Sequence, residues 1–169
     1  MLMRLLSLLC LVVLTDASLA QTLGTQQPEG VPSTCPVTKT SDKPLVPPPP
    51  YPPTPYSGGS WFGTDRLWIV GPPAVWRGLP HSTPNDPAFA QKMQWWRQGY
   101  DPHTEPTPKL KVTGMRLDAP APPLITKVSG TLGARPSMMV GMSFPALGCW
   151  EITGRYEEDE LTFVVWVAR

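Results

Sequence analysis

Residues 149–168 read CWEITGRYEEDELTFVVWVA and carry the strongest structural signal in the chain. From Cys149 to Tyr156, Trp150 and Ile152 alternate with Cys149, Glu151 and Thr153, and from Leu161 to Ala168 every second residue is large and apolar: Leu161, Phe163, Val165 and Val167. Alternation with a period of two predicts strands with one buried face, and the acidic run Glu157 to Glu160 predicts the loop between them. The stretch therefore predicts an antiparallel hairpin whose Trp150 and Phe163 face a core.

Five apolar segments upstream of this hairpin predict further short strands. Turn signals rich in proline and glycine separate them, whereas residues 77–91 are predicted as a loop. The segments are Leu67 to Val70, Lys92 to Trp96, Leu110 to Leu117, Leu124 to Val128 and Met138 to Phe144. In the third, the alternation changes phase near Gly114, which predicts a β-bulge. About seven strands in roughly 110 residues predict an all-β fold, an immunoglobulin-like antiparallel β-sandwich over residues 57–169.

The N-terminal 20 residues have the pattern of a secretory signal peptide. Arg4 precedes an apolar run from Leu5 to Leu14, and small residues stand at Ser18 and Ala20. The run is too short to span a bilayer as a helix. We therefore expect export from the cytoplasm, with a mature chain that begins at Gln21 and has no further membrane span.

A proline-rich extension, residues 21–56, separates the leader from the predicted sandwich. Eight of the twelve residues from Pro44 to Pro55 are proline. Such a run adopts extended polyproline II, which is stiff and has no internal hydrogen bonds. We interpret it as a spacer. The alternative is a ligand that docks on an aromatic groove of its own domain.

Two cysteines remain after the leader is removed, Cys35 and Cys149. An even number in an oxidising compartment favours a disulfide, although two separate thiols remain the alternative. Strand alternation places Cys149 on the face opposite Trp150, so a bond to Cys35 would lay the extension along the outside of the sandwich. Closing a loop of more than a hundred residues would stabilise the fold by about 4–5 kcal/mol through the unfolded state.

The C-terminal segment FPALGCWEITG (residues 144–154), followed by LTFVV (161–165), resembles the signature of a family of exported bacterial proteins. Residues 116–124 and 35–38 resemble further stretches of that family. The resemblance implies an immunoglobulin-like domain of unknown function from a bacterium. It implies no catalytic residues.

Charge and histidine content narrow the function classes. Arg4 and Asp16 leave with the leader, so the net charge stays at +1 and provides no field for nucleic acid. His81 and His103 lie in proline-flanked loops, and no Gly-x-Ser-x-Gly elbow is present. No paired short spacing of metal ligands occurs, so we expect neither a metal site nor a cofactor.

Seven tryptophans are the most informative excess in the chain. We expect Trp150 and Trp68 in the core, and we assign Trp95, Trp96 and Trp166 as candidate binding residues. Exposed indole rings bind sugars, proline-rich peptides or proteins. The alternative is that the extension covers these rings.

These observations predict an exported, non-enzymatic binding or structural domain whose partner is an unknown protein or glycan. Its location is extracytoplasmic, either periplasmic or secreted. A carbohydrate-binding module that uses the exposed tryptophans is one alternative. A hydrolase with a site that the sequence does not reveal is the other.

We expect cleavage between Ala20 and Gln21, because Ser18 and Ala20 provide small residues at the −3 and −1 positions. N-terminal sequencing of the exported protein should begin at Gln21. A mature product that retains Leu5 to Leu14 would contradict the prediction.

Overall fold

The computed structural model describes residues 28–83, 86–131 and 136–169. The expected signal peptide (1–20), its cleavage site and residues 21–27 of the extension lie outside the described residues. The described chain contains no helix that is long and apolar enough to cross a membrane. It forms nine strands: β1 (Trp61–Gly63), β2 (Leu67–Val70), β3 (Val75–Trp76), β4 (Phe89–Arg97), β5 (Lys111–Arg116), β6 (Ile125–Thr131), β7 (Ser137–Phe144), β8 (Gly148–Tyr156) and β9 (Asp159–Val167).

The strands form two sheets that pack face to face. Sheet I has the order β1-β2-β4-β7-β6, and sheet II has the order β3-β9-β8-β5. All neighbours are antiparallel except β3 and β9, which are parallel. The orders β2-β4-β7-β6 and β5-β8-β9 correspond to the ABED and CFG sheets of a constant-type immunoglobulin domain. The predicted immunoglobulin-like β-sandwich is confirmed.

The C-terminal hairpin supplies the centre of the core, as its alternation predicts. Trp150 pairs with Val165, and Ile152 pairs with Phe163. All four side chains are buried between the sheets, together with residues of β4 and β7. The prediction that Trp150 and Phe163 face the core is confirmed.

The hairpin loop is shorter than the predicted run Glu157 to Glu160. Tyr156 pairs with Asp159, so only Glu157 and Glu158 form the turn. Glu157 has a left-handed backbone conformation with φ 54°. Asp159 lies within ion-pair distance of Arg66 and Arg97, and these contacts allow an acidic residue to begin β9.

The predicted bulge near Gly114 is wrong. The pairing of β5 with β8 runs without interruption from Lys111 opposite Arg155 to Arg116 opposite Trp150. The sequence suggested a phase change because Met115 is apolar. Its side chain is 58% exposed, however, and lies on the outer face of sheet II.

Strand β4 begins at Phe89 and therefore takes in three residues predicted as loop. Phe89 pairs with Phe144, and the register with β7 continues to Trp95 opposite Met138. The sequence did not predict this part of the strand, because the polar residues Gln91 and Lys92 interrupt the apolar pattern. Pairing with β7 extends β4 through them.

Close contact between Trp95 and Gly154 joins the two sheets near the middle of the core. In antibody domains a disulfide joins the strands that correspond to β4 and β8. Here Trp95 of β4 is fully buried, and a β-carbon at Gly154 of β8 would overlap its indole ring. A large ring against a glycine thus fills the space between these strands.

We expect Gly154→Ala to lower the free energy of unfolding by about 1–3 kcal/mol, because the added methyl group overpacks the contact with Trp95. Chemical denaturation of the mature protein measures this change. Gly141→Ala on β7 is the matched control, because its β-carbon would meet only the Lys127 carbonyl oxygen, at 3.8 Å. The control should change stability by less than about 0.5 kcal/mol. Equal losses in the two variants would contradict this packing.

Candidate functional site

The start of the described chain lies on the outer face of sheet II and is covalently attached there. Cys35 and Cys149 form a disulfide with a Cα–Cα distance of 5.6 Å. Both cysteines are buried, in a cluster that also holds Val31, Val37 and Val164. Cys149 lies on the face of β8 opposite Trp150, as the alternation predicts.

Asp118 holds the backbone of β8 at the disulfide. Its Oδ1 accepts hydrogen bonds from the Arg116 Nε at 2.8 Å and from the Cys149 backbone N–H at 3.0 Å. The hydrogen bond from Arg116 is the main cause that lowers the pKa of Asp118 below its usual value. The carboxylate is therefore charged at neutral pH, and its stabilising effect is lost as the pH falls through this lowered pKa.

The extension also closes the edge of β9. The Thr38 N–H donates to the Val164 carbonyl at 2.8 Å, and the Val164 N–H donates to Thr38 Oγ1 at 2.8 Å. Farther along, the Trp166 N–H donates to the Ala74 carbonyl at 2.9 Å, beside β3. A strand edge with unpaired backbone groups would be open to pairing with another chain, and these contacts occupy it.

The proline-rich segment lies on the outer face of sheet I, where it covers three tryptophans. Trp61, Trp68 and Trp96 form a buried cluster that packs against Leu45 and Tyr51 of the extension. The ring centroids of Tyr51 and Trp68 are 5.0 Å apart in an edge-to-face arrangement. The Trp61 Nε1–H donates to the Pro52 carbonyl at 2.9 Å. The spacer interpretation is wrong, because the segment docks on an aromatic groove of its own domain.

The expectation of exposed binding rings at Trp95, Trp96 and Trp166 is corrected. Trp95 lies in the inter-sheet core and is fully buried, and Trp96 is only 8% exposed beneath the extension. Trp166 is partly buried against the cluster around the disulfide. The alternative, in which the extension covers outward-facing rings, holds for Trp96 and Trp166.

Strand alternation explains why Trp68 and Trp95 have exchanged the expected positions. On β2, Leu67 and Ile69 face the core, so Trp68 between them faces outward. On β4, Trp95 faces inward and Trp96 outward. Which of the adjacent residues Trp95 and Trp96 faces inward depends on the register of β4 with β7, which the sequence pattern does not determine.

Charged and phenolic groups form a network at the end of the sandwich near the hairpin turn. Glu157 accepts hydrogen bonds from the Lys109 Nζ at 2.7 Å and from the Arg97 Nη2 at 3.1 Å. The Arg97 guanidinium lies 4.3 Å from the centre of the Tyr156 ring, and the Tyr156 hydroxyl donates to Glu105. Burial and then this hydrogen bond raise the pKa of Tyr156, whereas Lys109 lowers the pKa of Glu157. The network links β4, β8 and the loop before β5.

The two histidines make no catalytic constellation among the described residues. His81 Nδ1 lies 3.2 Å from the Pro87 carbonyl, and its ring packs at 5.0 Å from that of Phe89. Neither His81 nor His103 forms a side-chain hydrogen bond to a hydroxyl or a carboxylate there. Within the same residues, no group of three or more histidine, cysteine, aspartate or glutamate side chains is placed to hold a metal ion.

An open trough on the outer face of sheet I lies beyond the part that the extension covers. We call it the lysine trough. It has a volume of about 270 Å³, and it runs along β7 between β4 and β6. Lys92 and Lys127 both pair with Gly141, and Ala90 and Ile125 flank Ser143 in the neighbouring row. The floor is low because Gly141 has no side chain.

Positive charge on the lysine trough is not neutralised. Strands β4, β6 and β7 contain no aspartate or glutamate. Lys92 and Lys127 are exposed, and neither has an ion-pair partner within the described residues. Asp86, three residues before β4, does not pair with either lysine; its carboxylate accepts a hydrogen bond from the Ala88 N–H. Sequence reasoning missed this site because residues 35 positions apart meet only through the register of three strands.

No protein-family model, no curated protein and no solved structure matches this chain. The resemblance of the C-terminal motif to a family of exported bacterial proteins therefore stays a prediction.

We expect Leu45→Ala and Tyr51→Ala to release the proline-rich segment from the tryptophan cluster. Each loses roughly 1 kcal/mol or more of apolar contact, so protease cleavage within residues 41–56 should become about fivefold faster or more. The adjacent Val46 is 65% exposed, so Val46→Ala is the matched control and should leave the rate unchanged. Equal cleavage rates in all three variants would show that the segment is not held by these contacts.

Proposed function

We propose that this protein is an exported, non-enzymatic binding domain that acts outside the cytoplasm and engages its partner through the lysine trough. One observation is the main support for this proposal. The extension covers the aromatic surfaces on the outside of both sheets, whereas the trough stays open with two lysines that lack acidic partners in the described chain.

Export is supported by the leader pattern of residues 1–20 and is compatible with the Cys35–Cys149 disulfide. Disulfides persist in oxidising compartments and are rare in the cytosol. The resemblance to exported immunoglobulin-like proteins supports the same location, and we propose that the chain belongs with them.

Binding through exposed tryptophans is not favoured. A carbohydrate-binding module would need flat, accessible rings, but Trp95 and Trp96 are buried and Trp166 is partly covered. The hydrolase alternative is not favoured either, because His81 contacts a backbone carbonyl rather than a hydroxyl that it could activate.

Lysine footprinting tests whether the trough is occupied where the protein acts. The protein in its native compartment and the purified mature protein are labelled with the same amine-reactive reagent. We expect Lys92 and Lys127 to react several times more slowly in the native compartment than in the purified protein, because a partner shields their amines.

Lys111 is the internal control for this measurement. It is exposed on the outer face of sheet II, and it has no ion-pair partner among the described residues. Its labelling should not change. Equal protection ratios for Lys92, Lys127 and Lys111 would contradict the proposed binding face.

A further inference from the structure

Two rows of side chains in the lysine trough differ in chemistry. The first row is Lys92–Gly141–Lys127, and the second is Ala90–Ser143–Ile125. Because successive side chains on one face of a strand are two residues apart, the rows are separated by roughly 6.7 Å. A cationic row thus lies beside an uncharged row that has the apolar side chains of Ala90 and Ile125 at its two ends.

The cationic row has room for an anionic group over Gly141. The backbones that carry Lys92 and Lys127 lie two strand spacings apart, about 10 Å, and no side chain stands between them. A β-carbon at Gly141 would have only the Lys127 carbonyl oxygen within 4 Å, at 3.8 Å. Both flexible ammonium groups can therefore approach one carboxylate above the glycine.

The second row exposes an aliphatic side chain. Ile125 is 68% exposed, which is unusual for an isoleucine on a strand. Ser82 Oγ is hydrogen-bonded to Ser143 Oγ and also lines the trough, so an aliphatic group on a ligand would contact Ile125 beside this pair.

The geometry points to an extended peptide of a partner protein as the ligand of the lysine trough, with a carboxylate and an aliphatic side chain two residues apart. This inference rests on the proposed binding function and adds the class of partner. An extended peptide places alternate side chains on one face at the same roughly 6.7 Å spacing as the two rows. Its carboxylate meets Lys92 and Lys127, and its aliphatic side chain meets Ile125.

A sulfated or carboxylated polysaccharide shares only part of this chemistry. Its anionic groups would satisfy the lysines, but nothing in it would cover Ile125. The aromatic rings on which a sugar could stack, such as Trp96, lie beneath the extension. The observations therefore favour a peptide.

The test uses the purified mature protein and a terminally blocked nine-residue peptide. In this peptide, glutamate and valine alternate along the odd-numbered positions, and threonine occupies every even-numbered position. A titration followed by NMR measures the Kd and locates the shifted amides, which we expect in β4, β6 and β7. Replacing each glutamate of the peptide by glutamine, or each valine by serine, should weaken binding.

Variants of the protein then assign the contacts. Lys92→Gln and Lys127→Gln should each raise the Kd by about two- to fivefold, and the double variant by about tenfold. Ile125→Thr should weaken binding of the valine peptide but not of the serine peptide. Lys111→Gln is the matched control and should leave the Kd unchanged, and thermal unfolding verifies that every variant is folded.

The outcomes separate this inference from the proposed function. If the peptide binds and the lysine substitutions leave its Kd unchanged, the inference is wrong. Lysine-dependent binding of a heparin oligosaccharide without peptide binding would also overturn it, in favour of a polysaccharide. If neither probe binds while Lys92 and Lys127 are protected in the native compartment, the peptide inference fails and the binding face stands. If protection is also absent, both fail.

Discussion

The Cys35–Cys149 disulfide is the constraint on which the position of the whole extension depends. It joins residues 114 positions apart, so it stabilises the fold by about 4–5 kcal/mol in the loop-entropy model. It also keeps Thr38 beside the edge of β9 and begins the path that carries Leu45 and Tyr51 to sheet I. Contacts that are weak one by one become effective here, because the bond holds the extension at a high local concentration.

The same bond differs from the disulfide of an antibody domain in its place and in its effect. An antibody disulfide crosses the core, whereas Cys149 faces away from the core and fastens an external segment. The interior must then be completed by packing alone, and Trp95 against Gly154 provides that packing. The covalent link fastens the extension nine residues before Pro44, where a run begins whose prolines have no backbone N–H to donate.

More of the fold than of the candidate site could be predicted from the sequence. The hairpin of β8 and β9 was predictable because its apolar face alternates without interruption, and the disulfide followed from the compartment and the face of Cys149. Trp68 and Trp95 were misplaced because both are aromatic residues within short apolar runs, and only the strand register determines which faces inward. Lys92 and Lys127 carried no signal, since each is an ordinary polar residue until β7 brings Gly141 between them.

Coverage by the extension also determines which surfaces of the sandwich stay exposed. Apolar area is costly to expose, so the outer faces that carry Trp61, Trp68 and Trp96 are stable only while something covers them. Leu45 and Tyr51 already do so, and a partner that bound these rings would first have to displace a tethered competitor. The lysine trough has no such competitor among the described residues, and the ammonium groups of Lys92 and Lys127 are exposed to water. A partner of the proposed kind would therefore gain more by adding contacts at the trough than by exchanging contacts at the tryptophans.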